Sequence, residues 1–262
     1  MRPDPLVSAL VAVLLSTGGW VAKALTGSGA ATASLVGFAI LMGGGWPGAA
    51  VLGAFFILSS AVGRMPGAGS SGPGDAKGER RDAWQVLANG GCAALGALLA
   101  RSNPGLALWV ITGSLASAGA DTWATAIGAR SRTPPRLLLV GRPVETGSNG
   151  GMTLLGTAGA IAGAGLISAA GAVTASVPRL AFWGTVIGVA GMTLDSALGA
   201  TLQGRFQCRA CSIDSEWSVH RCGNRTTHTG GLAWLTNDGV NALTTAGGAL
   251  AGWLAWHFCA PS

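Results

Sequence analysis

Long apolar windows alternate with short polar segments along this chain, and the charges gather in the polar segments. A hydrocarbon layer about 30 Å thick takes roughly 17–25 helical residues to cross. With no water inside it to satisfy backbone groups, only closed hydrogen-bonded elements cross it at all. The windows 6–22, 29–44, 47–63, 83–100, 105–127, 152–172, 180–202 and 233–258 predict an all-α, polytopic transmembrane helix bundle of eight spans, a single domain over 1–262. The second and third windows are short, and Gly43-Gly44-Gly45-Trp46-Pro47 between them also suits a re-entrant hairpin, so about seven to nine spans fit. Residues 6–15 look like a signal-peptide core. Arg2 is the one basic residue ahead of them, however, and no cleavage site follows before Lys23, so the first window is expected to be a retained helix.

Composition closes off the other classes. Only 10% of the residues are charged and 49% are hydrophobic, with a mean hydropathy of +0.49; roughly a quarter would be charged in a soluble domain. That excludes a soluble enzyme, and the patterned apolar runs exclude disorder. The net charge of +6 does not indicate nucleic acid, because the sixteen Lys and Arg sit between apolar windows instead of on one polar segment.

Lys and Arg beside a membrane are retained on the cytoplasmic side. Threading the windows puts thirteen cations on one side: Lys23, Arg64, Lys77, Arg80, Arg81, Arg130, Arg132, Arg136, Arg142, Arg205, Arg209, Arg221 and Arg225. Three remain on the other: Arg2, Arg101 and Arg179. This predicts a multi-pass protein of the cell's inner membrane with both termini outside and with cytoplasmic loops at 64–82, 128–151 and 203–230. Asp121, Asp195 and Asp238 then fall in the cytoplasmic half of their helices. Asp82, Gln85 and Asn89 share one helix face by their spacing, as do Asn237 and Asn241. Ionisable groups in apolar helices are costly and usually face a cavity, although Asn and Gln also glue helices together. A polar pocket opening to the cytoplasm accounts for them together.

Such a pocket suits Mg²⁺ and phosphate, since Mg²⁺ takes one or two carboxylates plus waters and phosphate oxygens. Lys77, Arg80 and Arg81 lie just outside it. Asn149-Gly150-Gly151 precedes a helix expected to start near Met152, whose free N–H groups could hold a phosphate. Asn89-Gly90-Gly91 lies inside a span that it could open locally, or its glycines could serve helix packing. The two motifs precede Asp121-Thr122 and Asp195-Ser196 respectively, a faint two-helix repeat that would bring both carboxylates to one interface.

Cys208-x-x-Cys211 and His220-x-Cys222, with His228 as a spare nitrogen, suit a tetrahedral structural Zn²⁺ that orders the 203–230 insert. Two reduced cysteine pairs without metal are the alternative. Cys259 is expected to pack. Of the ten Trp, Trp20, Trp46, Trp183, Trp253 and Trp256 suit interfacial anchors, and Trp123 is expected as a pocket wall.

The ordered set Arg81-Asp82-Ala83-Trp84-Gln85-Val86-Leu87-Ala88-Asn89-Gly90-Gly91, Ala120-Asp121-Thr122-Trp123-Ala124-Thr125, Ser148-Asn149-Gly150-Gly151-Met152-Thr153, Asp195-Ser196-x-x-Gly199-Ala200-x-x-Gln203 and Asn237-Asp238-x-Val240-Asn241 resembles an integral membrane family once termed domain of unknown function ninety-two. That family includes plant phytyl-phosphate kinase. The resemblance runs over about 25–252 of this chain.

It implies phosphorylation of an isoprenoid monophosphate to its diphosphate by a nucleoside triphosphate, CTP or ATP, with Mg²⁺. Asp121, Asp195 and Asp238 would hold the metal. Lys77, Arg81, Asp82, Gln85, Asn89, Thr122, Thr125, Asn149, Gly150, Gly151, Ser196, Gln203, Asn237 and Asn241 would bind substrate and phosphates. One departure stands out: the family pattern reads Asp-Thr-Trp-Ala-Thr-Glu, and this chain has Ala126 in the place of the Glu. A lipid-phosphate transporter or flippase would also use broken helices, but with its site near mid-membrane. A CTP-dependent lipid nucleotidyltransferase would use a similar pocket and release pyrophosphate.

Overall fold

The computed structural model describes residues 2–65, 80–138, 141–215, 217–220 and 222–259. They form seven helices: α1 (Pro5–Val21), α2 (Gly27–Gly63), α3 (Ala83–Leu99), α4 (Pro104–Gly128), α5 (Leu154–Ala175), α6 (Pro178–Thr201) and α7 (Asn237–Cys259). Short strands fill two of the loops. β1 (Arg136–Leu137) pairs antiparallel with β2 (Gly151–Met152), while β3 (Arg205–Cys208) lies between β4 (Asp214–Ser215) and β5 (Thr226–Gly230).

Local chemistry starts and stops these helices. Asp4 accepts from the N–H groups of Leu6 and Val7 at 2.9 and 3.0 Å, with Pro5 in the first turn. Asn103 and Pro104 begin α4 in the same way. Between α5 and α6 the chain reverses at Ser176, whose φ of 55° ends one helix, and Pro178 starts the next.

Helix α4 is the hub, packing against α2, α3, α5, α6 and α7, and every residue from Ala107 to Ala120 is buried. Its partners approach through small residues. A Cβ on Gly113 would run into the backbone of Gly248 on α7, and one on Gly188 of α6 would stand 2.9 Å from the Ala116 carbonyl oxygen.

The outer surface is apolar. On α1 the buried residues are Ser8, Ala12, Ser16 and Gly19, whereas Leu6, Leu14 and Leu15 are each 69% exposed. Small and polar groups face inward and leucines outward, as packing in a lipid solvent requires. By length and composition α2, α5 and α6 are long and apolar enough to cross a membrane.

The second and third expected spans are the two arms of α2, on either side of a break. Gly45 breaks α2 with φ 61° and ψ −154°. The arms fold back on each other: a Cβ on Gly37 would lie 3.8 Å from Leu52 Cδ2, and one on Gly48 would lie 3.5 Å from the Ile40 carbonyl oxygen. The break sits at one end of the bundle, where Arg2 Nε donates to the Gly43 carbonyl at 3.1 Å. Asn89-Gly90-Gly91 does not open its helix, for α3 continues through it and Gly90 packs against Val36. Because Asn149-Gly150-Gly151 lies in the loop before α5, the two motifs do not occupy equivalent places.

Replacing Gly45 with Ala should destabilise the protein by about 1–3 kcal/mol, because that backbone region is closed to L side chains. Gly53→Ala, in open space within the second arm, should be neutral or stabilising by roughly 0.5–1 kcal/mol. Thermal unfolding in detergent, followed by tryptophan fluorescence, distinguishes the two.

Candidate functional site

At the end of the bundle opposite the α2 break, a cavity of about 450 Å³ opens between α4, α5, α6, the 146–151 loop and the first residue of α7. Small-molecule pockets run roughly 300–1,000 Å³. Helix α4 contributes Asp121, Thr122, Thr125 and Gly128, and α6 with the residues after it contributes Met192, Asp195, Ser196, Gly199 and Gln203. Both sets follow the three- and four-residue spacing of a single helix face. Asn149, Gly150, Gly151, Thr153 and Thr157 close the third side, and Asn237 the fourth.

The two carboxylates differ in how they are held. Asp195 accepts a hydrogen bond from Thr244 Oγ1 of α7 at 3.1 Å, which fixes its orientation. Asp121 accepts none from the described residues, and the negative charges of the two repel across the cavity. Thr122 donates its hydroxyl proton to the Ala118 carbonyl at 2.9 Å, leaving its lone pairs available. Apart from the thioethers of Met152 and Met192, the donor atoms on these walls are carboxylate, hydroxyl, amide and backbone groups, a set that suits a hard divalent cation.

Gly150 positions the third wall. Its φ is +76°, and a Cβ there would collide with the Ser196 carbonyl and Ala200 of α6, so only glycine lets the loop backbone press onto the helix that carries Asp195. The loop closes through Ser148 N–H to the Glu145 carbonyl and Gly151 N–H to the Ser148 carbonyl, both 3.1 Å. The expected helix start near Met152 is corrected here. Gly151 and Met152 are in β2, α5 begins at Leu154, and Thr153 Oγ1 accepts from the Gly156 N–H at 2.9 Å. That donor is therefore already used.

Other expected residues lie off the cavity walls. Asp82 and Gln85 cap α3 reciprocally, each side chain accepting from the other's N–H, at 2.9 and 3.0 Å. Asn89 Nδ2 donates to the Gln85 carbonyl at 2.8 Å. The Arg81 backbone pairs with Ala24 and Thr26, at 3.0 Å in each case. Its guanidinium sits 5.4 Å from the centre of the Phe55 ring, and burial, then the charge of Arg64, lowers its pKa to about 10. Arg80 donates to the Leu25 carbonyl at 2.9 and 3.1 Å. Asp238 and Asn241 belong to the first turns of α7 without lining the cavity. Trp123 is not a pocket wall: it packs on Gly163 of α5. Lys77 lies outside the described residues. Sequence reasoning missed Thr244, although it follows Asn237 and Asn241 at positions four and three residues apart on one face; Thr153 and Thr157 left no such signal.

Beyond the cavity, Cys208, Cys211, His220 and Cys222 bring one ligand atom each within 4.8 Å of one another. The hydrogen bond to His220, then those from Asn224, hold the Cys222 thiol down to about 5.

The family described as "Integral membrane protein DUF92" matches residues 10–249. An uncharacterized membrane protein of Methanocaldococcus jannaschii is 35% identical over 123 residues, 47% of this chain and 52% of its own length. Protein PGR of Arabidopsis thaliana is 32% identical over 146 residues, 51% of this chain and 49% of its own. The chain thus spans about half the length of the curated relatives it matches. No solved structure matches it.

Asp121→Asn should stabilise the chelator-treated protein by about 1 kcal/mol, because it removes one of two like charges from a partly desolvated site. Thr244→Ala should destabilise it by roughly 1.5–3 kcal/mol through the lost hydrogen bond to a charge. Shifts of opposite sign in thermal unfolding test that assignment.

Proposed function

From the premise that the chain belongs to the integral membrane family DUF92, we propose that it is a membrane-embedded isoprenoid monophosphate kinase. In this reading it makes a diphosphate from a nucleoside triphosphate at the cytoplasmic leaflet of the inner membrane. One observation carries it: Asp121 and Asp195, from different helices, share one cavity at the end of the bundle.

Two carboxylates facing one cavity suit a divalent cation, and Asp121 and Asp195 are the groups that would hold Mg²⁺. Bound there, the ion would neutralise the phosphate oxygens of the nucleotide. Asp238, off the cavity wall, is left out of that set. Thr122, Thr125, Ser196, Gln203 and Asn237 would orient phosphates by hydrogen bonding. The N–H groups of Asn149 and Gly150, which have no hydrogen-bond acceptor among the described residues, would add donors of the kind that cradle anions. The acceptor monophosphate is already largely ionised near neutral pH, so an oxygen of it attacks the γ-phosphorus, the β–γ bridging bond breaks and nucleoside diphosphate leaves. No general base is needed. The apolar surface of the bundle supports a lipid acceptor, whose head would enter the cavity while its tail stays in the bilayer.

Purified protein in detergent, given Mg²⁺, isoprenyl monophosphates of several lengths and ATP, CTP, GTP or UTP, should form the diphosphate and nucleoside diphosphate, resolved by mass. Release of pyrophosphate would assign a nucleotidyltransferase instead. Lipid-phosphate binding without turnover would assign a carrier. Asp121→Asn and Asp195→Asn should each slow turnover by roughly 10²–10³-fold, the loss that follows removal of one charge-stabilising group, while membrane insertion is retained. Near-normal rates in both would overturn the metal assignment.

A further inference from the structure

We propose that Cys208, Cys211, His220 and Cys222 bind one Zn²⁺, and that this ion clips the β3–β5 lobe so that the chain between α6 and α7 holds its place at the cavity rim. The site is independent of the kinase reading.

The ligand-atom spacings suit a tetrahedral ion. Zn–S bonds of about 2.3 Å put neighbouring ligand atoms about 3.8 Å apart. Here Cys208 Sγ and Cys211 Sγ lie 3.6 and 3.5 Å from Cys222 Sγ, and His220 Nδ1 lies 3.8 Å from Cys211 Sγ and 3.0 Å from Cys222 Sγ. Three thiols and an imidazole around one point do not suit a disulfide, since joining any two sulfurs would strand the third.

The backbone presents these ligands on two tight turns. Ser212 N–H donates to the Cys208 carbonyl at 2.9 Å, with Ser212 at φ 57°. Gly223 N–H donates to the His220 carbonyl at 2.8 Å, with Gly223 at φ 83°. Asn224 Nδ2 donates to Cys222 Sγ at 3.4 Å, a contact of the kind that supports a thiolate ligand. With all four positions filled by protein, the ion would be structural.

The lobe needs such a clip. Its strands have four, two and five residues, and its buried members are few, chiefly Phe206, Cys208, Ser215 and His220. So small a core cannot hold itself together. Its base is nonetheless bound to the cavity. Gly204 N–H donates to the Leu235 carbonyl and Leu232 N–H to the Leu202 carbonyl, both at 2.9 Å. These bonds flank Gln203 on one segment and lead to Asn237 on the other, and both residues line the cavity.

The test is metal analysis of the full-length protein purified without added chelator, expected to give about one zinc per chain. Cys208→Ser and Cys222→Ser should lose most of it, and Cys92→Ser and Cys259→Ser should retain it. In case the first two fail to fold, wild-type protein exchanged into Co²⁺ should show the absorption of a tetrahedral cobalt thiolate. After chelation, the amides of Gly204, Cys208 and Leu232 should exchange with deuterium roughly tenfold faster or more, with those of α4 unchanged. Absence of zinc from wild type together with no cobalt spectrum would overturn the site. Zinc loss without faster exchange at those amides would overturn the clip.

Discussion

Helix α4 can be buried on every side only because its neighbours meet it through Gly, Ala and Ser. In an apolar solvent no hydrophobic force drives helices together, so close backbone approach and dispersion must do it. Gly113 against Gly248 and Gly188 against Ala116 bring helix backbones within reach of each other. The same constraint turns α1 inside out, with Ser8 and Ser16 inward and leucines outward. A larger residue at any of these seams would push α6 or α7 away from α4 and with it Asp195 or Thr244 away from Asp121.

That packing sets the electrostatics of the cavity. Two carboxylates from helices that are neighbours in space but far apart in sequence stand close enough for their charges to repel, and only Asp195 has a hydroxyl to orient it. Such an arrangement costs folding free energy unless a ligand offsets it, and sites that keep this cost are commonly functional. Thr, Ser and Asn side chains around the carboxylates extend the oxygen-rich surface, and the loop pressed down by Gly150 closes it.

Polar structure outside the bundle gathers at the same end. Arg64 follows Gly63, which lines the cavity, and the β1–β2 hairpin and the β3–β5 lobe both lead into cavity residues. The other end is plainer, with the turn at Gly45, the tight α5–α6 connection and the N-terminal Arg2 seated on it.

Apolar windows are local signals, so the helices are legible in the sequence, whereas the caps at Asp4, Asn103 and the Asp82–Gln85 pair emerged with the structure. Asp121 and Asp195 are legible too, because an ionisable group stands out in an apolar run. Which polar groups meet was not legible. Asn237 and Asp238 are adjacent in sequence, yet successive helical residues point about 100° apart and only Asn237 lines the cavity. Asn89-Gly90-Gly91 is expected to open its span locally or to serve packing, and α3 runs straight through it. Helix identity and the presence of carboxylates within apolar helices follow from residues taken one window at a time. The pairing of Asp121 with Asp195, the hydroxyl from Thr244 and the exclusion of Trp123 were decided by how helices rotate and seat on each other's small residues, which depends on contacts between segments distant in the chain.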